Sequence, residues 1–150
     1  MVFRATRVTF TGKLEVRAPI EQAFPLFSPP GEVHWVPGWN PEFVEPPVSS
    51  WEEGQIFRTQ EERGDGVWIV ARLDRDGHEV EYYRVEPGRY VARIVVVCRA
   101  PAADRTLVAT GYSFVGLSDV GNQDIAAMTQ EAYDGKMARW AEWIERHLGA

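Results

Sequence analysis

The chain is short of cysteine. A lone thiol, Cys98, cannot close an internal disulfide in a 150-residue chain, so no covalent staple is expected and a reducing compartment suits it. It lies in the apolar run from Ile94 to Cys98, where a small buried hydrophobe is a better description than a nucleophile. Long hydrophobic runs are missing as well. The longest, Tyr90 to Cys98, is short and broken by Arg93, and Met1 to Thr11 carries no apolar stretch of the signal-peptide kind. A cytoplasmic protein without a membrane span is therefore expected. Lysine is scarce: Lys13 and Lys136 are the only two, and no basic cluster compensates. With a formal net charge of −6 the field repels a phosphate backbone, which argues against nucleic acid as a partner. The three histidines, His34, His78 and His147, show none of the paired spacings that metal sites use, so no metal is expected. Nor is there a serine elbow, a Walker-type loop or a dinucleotide fingerprint. Serine hydrolases, nucleotide hydrolases and dinucleotide-dependent enzymes fall away, and no cofactor is expected.

Aromatic side chains, by contrast, are plentiful. Six Trp, five Tyr and seven Phe supply large rigid surfaces that must pack in a core or face something apolar. Residues 3–17 alternate and are rich in Val, Phe and Thr, the pattern of a strand, with a bulge expected near Gly12. Pro19 then opens a short helical segment with Ile20, Ala23, Phe24 and Phe27 on one side, and Pro29-Pro30-Gly31 stops it. A second short segment runs from Glu32 to Trp39. From Phe43 onward, turn signals at Glu52-Glu53-Gly54, Gly64-Asp65-Gly66, Asp74 to Gly77, Glu86-Pro87-Gly88 and Ala100 to Asp104 divide the chain at short intervals. The pieces between, about 43–48, 55–62, 67–74, 79–86, 89–99 and 105–116, lie too close together for crossover helices. They read as an antiparallel meander, seven strands with the first. Beyond Ser118, the residues Ile125, Met128, Ala132, Met137, Trp140, Ile144 and Leu148 recur at helical spacing, which predicts an amphipathic helix over about 122–148. That helix covers the apolar face of the sheet, and Gly135 within it predicts a kink or a close backbone approach. The expected class is α+β, in one domain.

Period-two reading of the strands predicts an inward row: Phe57 and Thr59; Trp68 and Val70; Tyr83 and Val85; Ile94 and Val96; Thr106, Val108, Thr110, Tyr112 and Phe114. The row is mostly apolar with a few hydroxyls. Small-molecule pockets are lined that way, and so are cores packed against a helix; the sequence leaves both open. Carboxylate pairs such as Glu52-Glu53 and Glu61-Glu62 fall at turns and strand ends and read as solvated rather than catalytic.

The order strand, two short helices, meander and long C-terminal helix resembles the helix-grip fold of the SRPBCC superfamily, which includes START lipid-transfer domains, birch-pollen-allergen-like proteins and polyketide cyclases. The most specific piece is His34-Trp35-Val36-Pro37-Gly38-Trp39-Asn40-Pro41, similar to a Trp-rich segment ending in Trp-Asn-Pro in many bacterial members. Ile56-Phe57, Tyr83 to Pro87, and Tyr112 ahead of Leu117-Ser118 agree more weakly. The resemblance implies a seven-stranded curved antiparallel sheet wrapped around the long helix, with a pocket between them and Trp35 and Trp39 near its entrance. The expected ligand contacts are then Trp35, Trp39, Phe57, Thr59, Trp68, Tyr83, Ile94, Thr110, Tyr112 and Met128. A carrier of a small hydrophobic or aromatic molecule is the leading reading. A cyclase, aromatase or dehydratase is the second, with His34, Tyr83 or Tyr112 moving a proton. A co-chaperone-like interaction module is the third.

Overall fold

Apolar and polar residues alternate through seven strands that hydrogen-bond into one antiparallel sheet. The computed structural model describes residues 2–62 and 64–149. The strands are β1 (Arg7–Val16), β2 (Glu42–Glu45), β3 (Ile56–Glu61), β4 (Gly64–Asp74), β5 (Glu79–Glu86), β6 (Tyr90–Ala102) and β7 (Arg105–Gly116). Their spatial order is β1-β7-β6-β5-β4-β3-β2: a meander from β2 to β7, with β1 added beyond β7 as the far edge. Between β1 and β2 lie α1 (Ile20–Ala23), a 3-10 turn (Phe24–Phe27) and α2 (Pro29–Glu32); after β7 come α3 (Asp119–Ala126) and α4 (Gln130–Gly149). This is the helix-grip arrangement.

Two expectations about local structure need correction. The helix predicted over 122–148 is two helices, interrupted at 127–129. Ser118 caps α3, its Oγ accepting from the Gly121 amide at 3.1 Å, while the Thr129 hydroxyl accepts from the Ala132 amide at 3.1 Å and starts α4 afresh. The break therefore falls at a capping threonine and not at Gly135, where an added Cβ would meet only the tip of Arg139 at 3.5 Å. The second correction concerns Gly12. Its strand pairs with β7 in unbroken register, so there is no bulge. Gly12 lies where α4 crosses β1, and a Cβ there would come within 2.8 Å of the Tyr133 ring and 2.9 Å of the Met137 side chain.

The row of inward residues holds on β3, β4, β6 and β7, where Phe57, Thr59, Trp68, Val70, Ile94, Val96, Thr106, Val108, Thr110, Tyr112 and Phe114 are all buried. It slips by one on β5. Val80 and Tyr82 are the buried residues there, and Tyr83 and Val85 are half-buried on the opposite face. The stretch Val80-Glu-Tyr-Tyr-Arg-Val85 offers an apolar row in either parity. The observed one turns Arg84 inward, opposite the small Ala92. Seven strands about 4.8 Å apart span roughly 29 Å, whereas a helix with its side chains is about 10–12 Å wide. One helix cannot cover such a sheet. α4 packs over β1, its buried residues Tyr133, Met137, Trp140 and Ile144 facing the sheet, and the other half is left to the aromatic segment after α2.

Candidate functional site

Where α4 and the segment after α2 meet over the sheet, a cleft of about 440 Å³ opens between the middle of α4, residues 36–40 and strands β3 to β5, with Tyr112 of β7. Small-molecule sites fall at roughly 300–1,000 Å³. Its position follows from how residues 25–39 are tied down. Ser28 caps α2, accepting from the Gly31 amide at 2.9 Å and donating to the Pro25 carbonyl at 2.6 Å. Two indoles then anchor backward, Trp35 Nε1 donating to the Leu26 carbonyl at 2.7 Å and Trp39 Nε1 to the Pro29 carbonyl at 2.8 Å. These bonds fix Glu32, the last residue of α2, and Trp39 as neighbours on the cleft wall.

The walls are aromatic. Trp39 meets Trp68 edge-on at 5.4 Å, Trp68 stacks on Phe57 at 5.4 Å, and Tyr112 and Trp140 close the helix side at 6.5 Å from each other. Pairs of this kind contribute about 0.5–1.5 kcal/mol each beyond their buried area, so the walls are held before any ligand arrives. Trp68 Nε1 donates to Thr59 Oγ1 at 2.9 Å, and that hydroxyl donates to Glu61 at 2.6 Å, which spends the threonine on positioning.

Four charged side chains share this aromatic enclosure: Glu32, Glu61, Arg84 and Lys136. Lys136 Nζ sits 3.6 Å from the centre of the Tyr112 ring and 5.3 Å from that of Trp140, and it forms no ion pair within 4.0 Å among the described residues. Burial, helped by the charge of Arg84, lowers its amine to about 7, against the opposing pull of Glu32. A ring face favours an ammonium by about 0.5–2 kcal/mol, which works against burial and is the smaller of the two. Glu32 keeps some exposed surface, but the protein around it makes the carboxylate costly. Its pKa is pushed up to about 8 by desolvation, with Lys136 pulling it back. Arg84 lies over Trp68 at 5.5 Å and over Tyr90 at 6.0 Å, and its Nε–H is buried without a hydrogen-bond partner among the described residues. Leaving a charged donor unpaired costs on the order of 1–3 kcal/mol or more, which an oxygen acceptor entering the cleft would recover. Burial also raises the Tyr112 phenol well above the ordinary tyrosine value, so it stays protonated throughout the physiological range.

Of the sequence-predicted contacts, Trp39, Thr59, Trp68 and Tyr112 line the cleft. Trp35, Phe57, Ile94 and Thr110 do not: they are core. Trp35 is wedged edge-on between Phe27 and Trp140, and Thr110 is covered by the Tyr133 hydroxyl and by Met137 Sδ at 3.1 Å. Met128 lies in a separate shallow depression with Arg89, Tyr90 and Asp124, because the break after α3 carries it away from the cleft. Tyr83 points to the outer face, opposite Arg93. His34 is exposed and stacks on His147 at 5.7 Å, a surface contact outside the cleft. The side chains that sequence reasoning passed over are Glu32, Arg84, Lys136 and Trp140. Lys136 did carry a signal: it falls between Tyr133, Met137 and Trp140 on the buried face of an amphipathic helix, in a chain with almost no lysine.

A second depression, about 360 Å³, lies between β1 and the end of α4 near Val16, Ile144 and Leu148. Its rim charges Arg17 and Glu145 face each other in solvent at 3.7 Å, and it encloses no buried polar group comparable to Arg84. Among the described residues no group of His, Cys, Asp and Glu is placed to hold a metal ion, and no helix is long and apolar enough to cross a membrane.

No family model matches the chain, and no curated protein does. Solved structures do. Norcoclaurine synthase from Thalictrum flavum superposes with a TM-score of 0.70 at 13% identity, covering 99% of this chain and 98% of that one. The allergen Ara h 8.0201 gives 0.63 at 13% identity over 94% and 99%, and CalU16 from Micromonospora echinospora 0.60 at 12% over 95% and 87%. At such identities the likeness is one of fold. The chain has the helix-grip fold, that of the birch-pollen-allergen-like and SRPBCC proteins, as its element order already indicated.

Proposed function

We propose that the protein binds a small aromatic molecule bearing an acidic or carbonyl oxygen, with the ring between Trp39, Trp68 and Trp140 and the oxygen at Arg84 and Lys136. The observation that carries this reading is an aromatic cleft holding a buried Arg84 Nε–H with no acceptor among the described residues. Apolar burial at about 25 cal/mol per Å² supplies affinity, and the Arg84 guanidinium and the Lys136 nitrogen supply orientation. This narrows the small hydrophobic or aromatic ligand that the sequence suggested to an aromatic one with a polar oxygen, since the cleft is charged as well as aromatic. The fold neighbour norcoclaurine synthase has been crystallised with dopamine and hydroxybenzaldehyde, and the second of these is a small aromatic with a carbonyl oxygen, which supports the choice of ligand class. The test is a thermal-shift and tryptophan-fluorescence series of aromatic acids against their neutral methyl esters. Acids are expected to bind at least ~10-fold more tightly, a preference that Arg84→Gln removes. Equal binding of acid and ester, or none by either, refutes the reading.

A specific observation favours a second role on the same site. Glu32 and Lys136, two groups of opposite type, line the same cleft, and burial pushes the carboxyl up to about 8 and the amine down to about 7, the condition under which an acid and a base exchange protons with a bound substrate. Of the three proton-moving candidates, His34 and Tyr83 lie outside the cleft and Tyr112 lines it with a phenol raised by burial, so in this enzyme reading Glu32 and Lys136 take that part.

A further inference from the structure

Lys136 is set apart from the other amines of the chain. Lys13, the only other lysine, is exposed on β1, whereas Lys136 lies in the aromatic enclosure with its nitrogen 3.6 Å from the Tyr112 ring centre. It has no ion-pair partner within 4.0 Å among the described residues to hold it as an ammonium. Arg84, in the same cleft, disfavours a second positive charge, and Glu32 stands there as a proton-bearing group. A desolvated lysine beside another cation is the arrangement that turns an amine into a nucleophile toward carbonyl carbon.

We propose that Lys136 forms an imine with a small aromatic aldehyde or ketone held in the cleft, an inference that rests on the binding role above. The nitrogen lone pair attacks the carbonyl carbon, the C=O π pair moves to oxygen, and a proton passes from nitrogen to that oxygen to give a carbinolamine. The Glu32 carboxylic acid protonates the hydroxyl, which leaves as water while nitrogen closes the C=N bond. The carboxylate then takes the remaining N–H proton. One amine hydrogen leaves in the water with the carbonyl oxygen, the other restores the Glu32 acid that supplied the second, and no oxidant or reductant is consumed. Burial shifts the two groups toward each other, the amine down and the carboxyl up, which favours a free amine beside a carboxylic acid near neutral pH.

The experiment uses 4-carboxybenzaldehyde, whose ring acid suits Arg84, with sodium cyanoborohydride at pH 7. Peptide mass mapping reads benzylation at three amines: Lys13, Lys136 and the α-amino group. Lys136 is expected to react at least ~10-fold faster than Lys13, because an ordinary lysine is almost wholly protonated at that pH. Lys136→Met should lose that product and keep the Lys13 product. Glu32→Gln should slow labelling of Lys136 alone. In a parallel arm, 4-carboxybenzyl alcohol, which has no carbonyl, reports cleft occupancy through tryptophan fluorescence. Quenching by the alcohol with no preference for Lys136 overturns the imine and leaves the binding role standing. No quenching and no preferential labelling overturns both. Should Lys136→Met fail to fold, the Lys136-to-Lys13 ratio in the unmodified protein decides the matter alone.

Discussion

Replacing Lys136 with methionine should make the protein more stable at pH 6 and should do so progressively less as pH rises. Burial lowers the amine to about 7 in the fold, against 10.5 for an ordinary lysine. Between those values the unfolded chain holds a proton that the folded chain has lost, so stability rises with pH at about 1.36 kcal/mol per pH unit. Below pH 7 the charge is carried in both states and its burial is at its most costly. The ceiling on that cost is about 5 kcal/mol; residual water contact and the ring faces of Tyr112 and Trp140 bring it to about 2–4 kcal/mol. Methionine keeps the length and apolar stem and removes the charge. The stability gap between Lys136→Met and the unmodified chain should therefore close by about 2–3 kcal/mol between pH 6 and pH 9. Urea unfolding at half-unit pH steps measures it. Because Glu32 faces the same amine and titrates at about 8, the comparison is made in a Glu32→Gln background, with Arg84 and Arg139 unchanged in both proteins. A gap that stays constant within about 0.5 kcal/mol over that range would refute the desolvation argument.

Three other outcomes follow from contacts elsewhere. Gly121→Ala places a Cβ 1.5 Å from the Arg89 carbonyl oxygen, so α3 must lift from the turn between β5 and β6; a loss at the upper end of overpacking, about 3 kcal/mol, is expected in urea unfolding. Tyr82→Phe strands two buried groups, the Phe27 carbonyl that accepts its hydroxyl at 2.7 Å and the Trp51 Nε1 that donates to it at 3.0 Å. A destabilisation of about 1–3 kcal/mol should appear by thermal or urea unfolding. His34→Ala should change stability by less than about 0.5 kcal/mol and leave affinity for an aromatic acid untouched, since the imidazole stacks on His147 at the surface.

The fold was legible because period and punctuation agreed: alternating strands separated by Gly, Pro and Asp turns, then an apolar stripe at helical spacing. The cleft was only half legible. Trp39, Trp68, Thr59 and Tyr112 could be placed from strand parity and the Trp-rich segment, whereas β5 defeated the same rule because its tyrosines occupy adjacent positions and either can be read as inward. The observed parity brings Arg84 inward, where its guanidinium lies over the Trp68 ring, a place that an arginine takes in a cleft and not in an apolar core. Glu32 had no periodic signal at all. Its placement depends on the backward hydrogen bonds of Ser28, Trp35 and Trp39, which are tertiary facts. The break at 127–129 was hidden for a different reason: Met128 continues the apolar spacing across it, and only the cap at Thr129 marks the new start.

Occupancy of the cleft can be read directly from the six tryptophan indole N–H signals in a nitrogen-15 correlation spectrum during titration with an aromatic acid such as 4-hydroxybenzoate. The indoles of Trp39, Trp68 and Trp140, which line the cleft, should shift together along one saturable curve, while those of Trp51 and Trp143 stay in place. Movement led by Trp51 or Trp143, or no movement at saturating acid, would contradict a ligand site between α4 and strands β3 to β5.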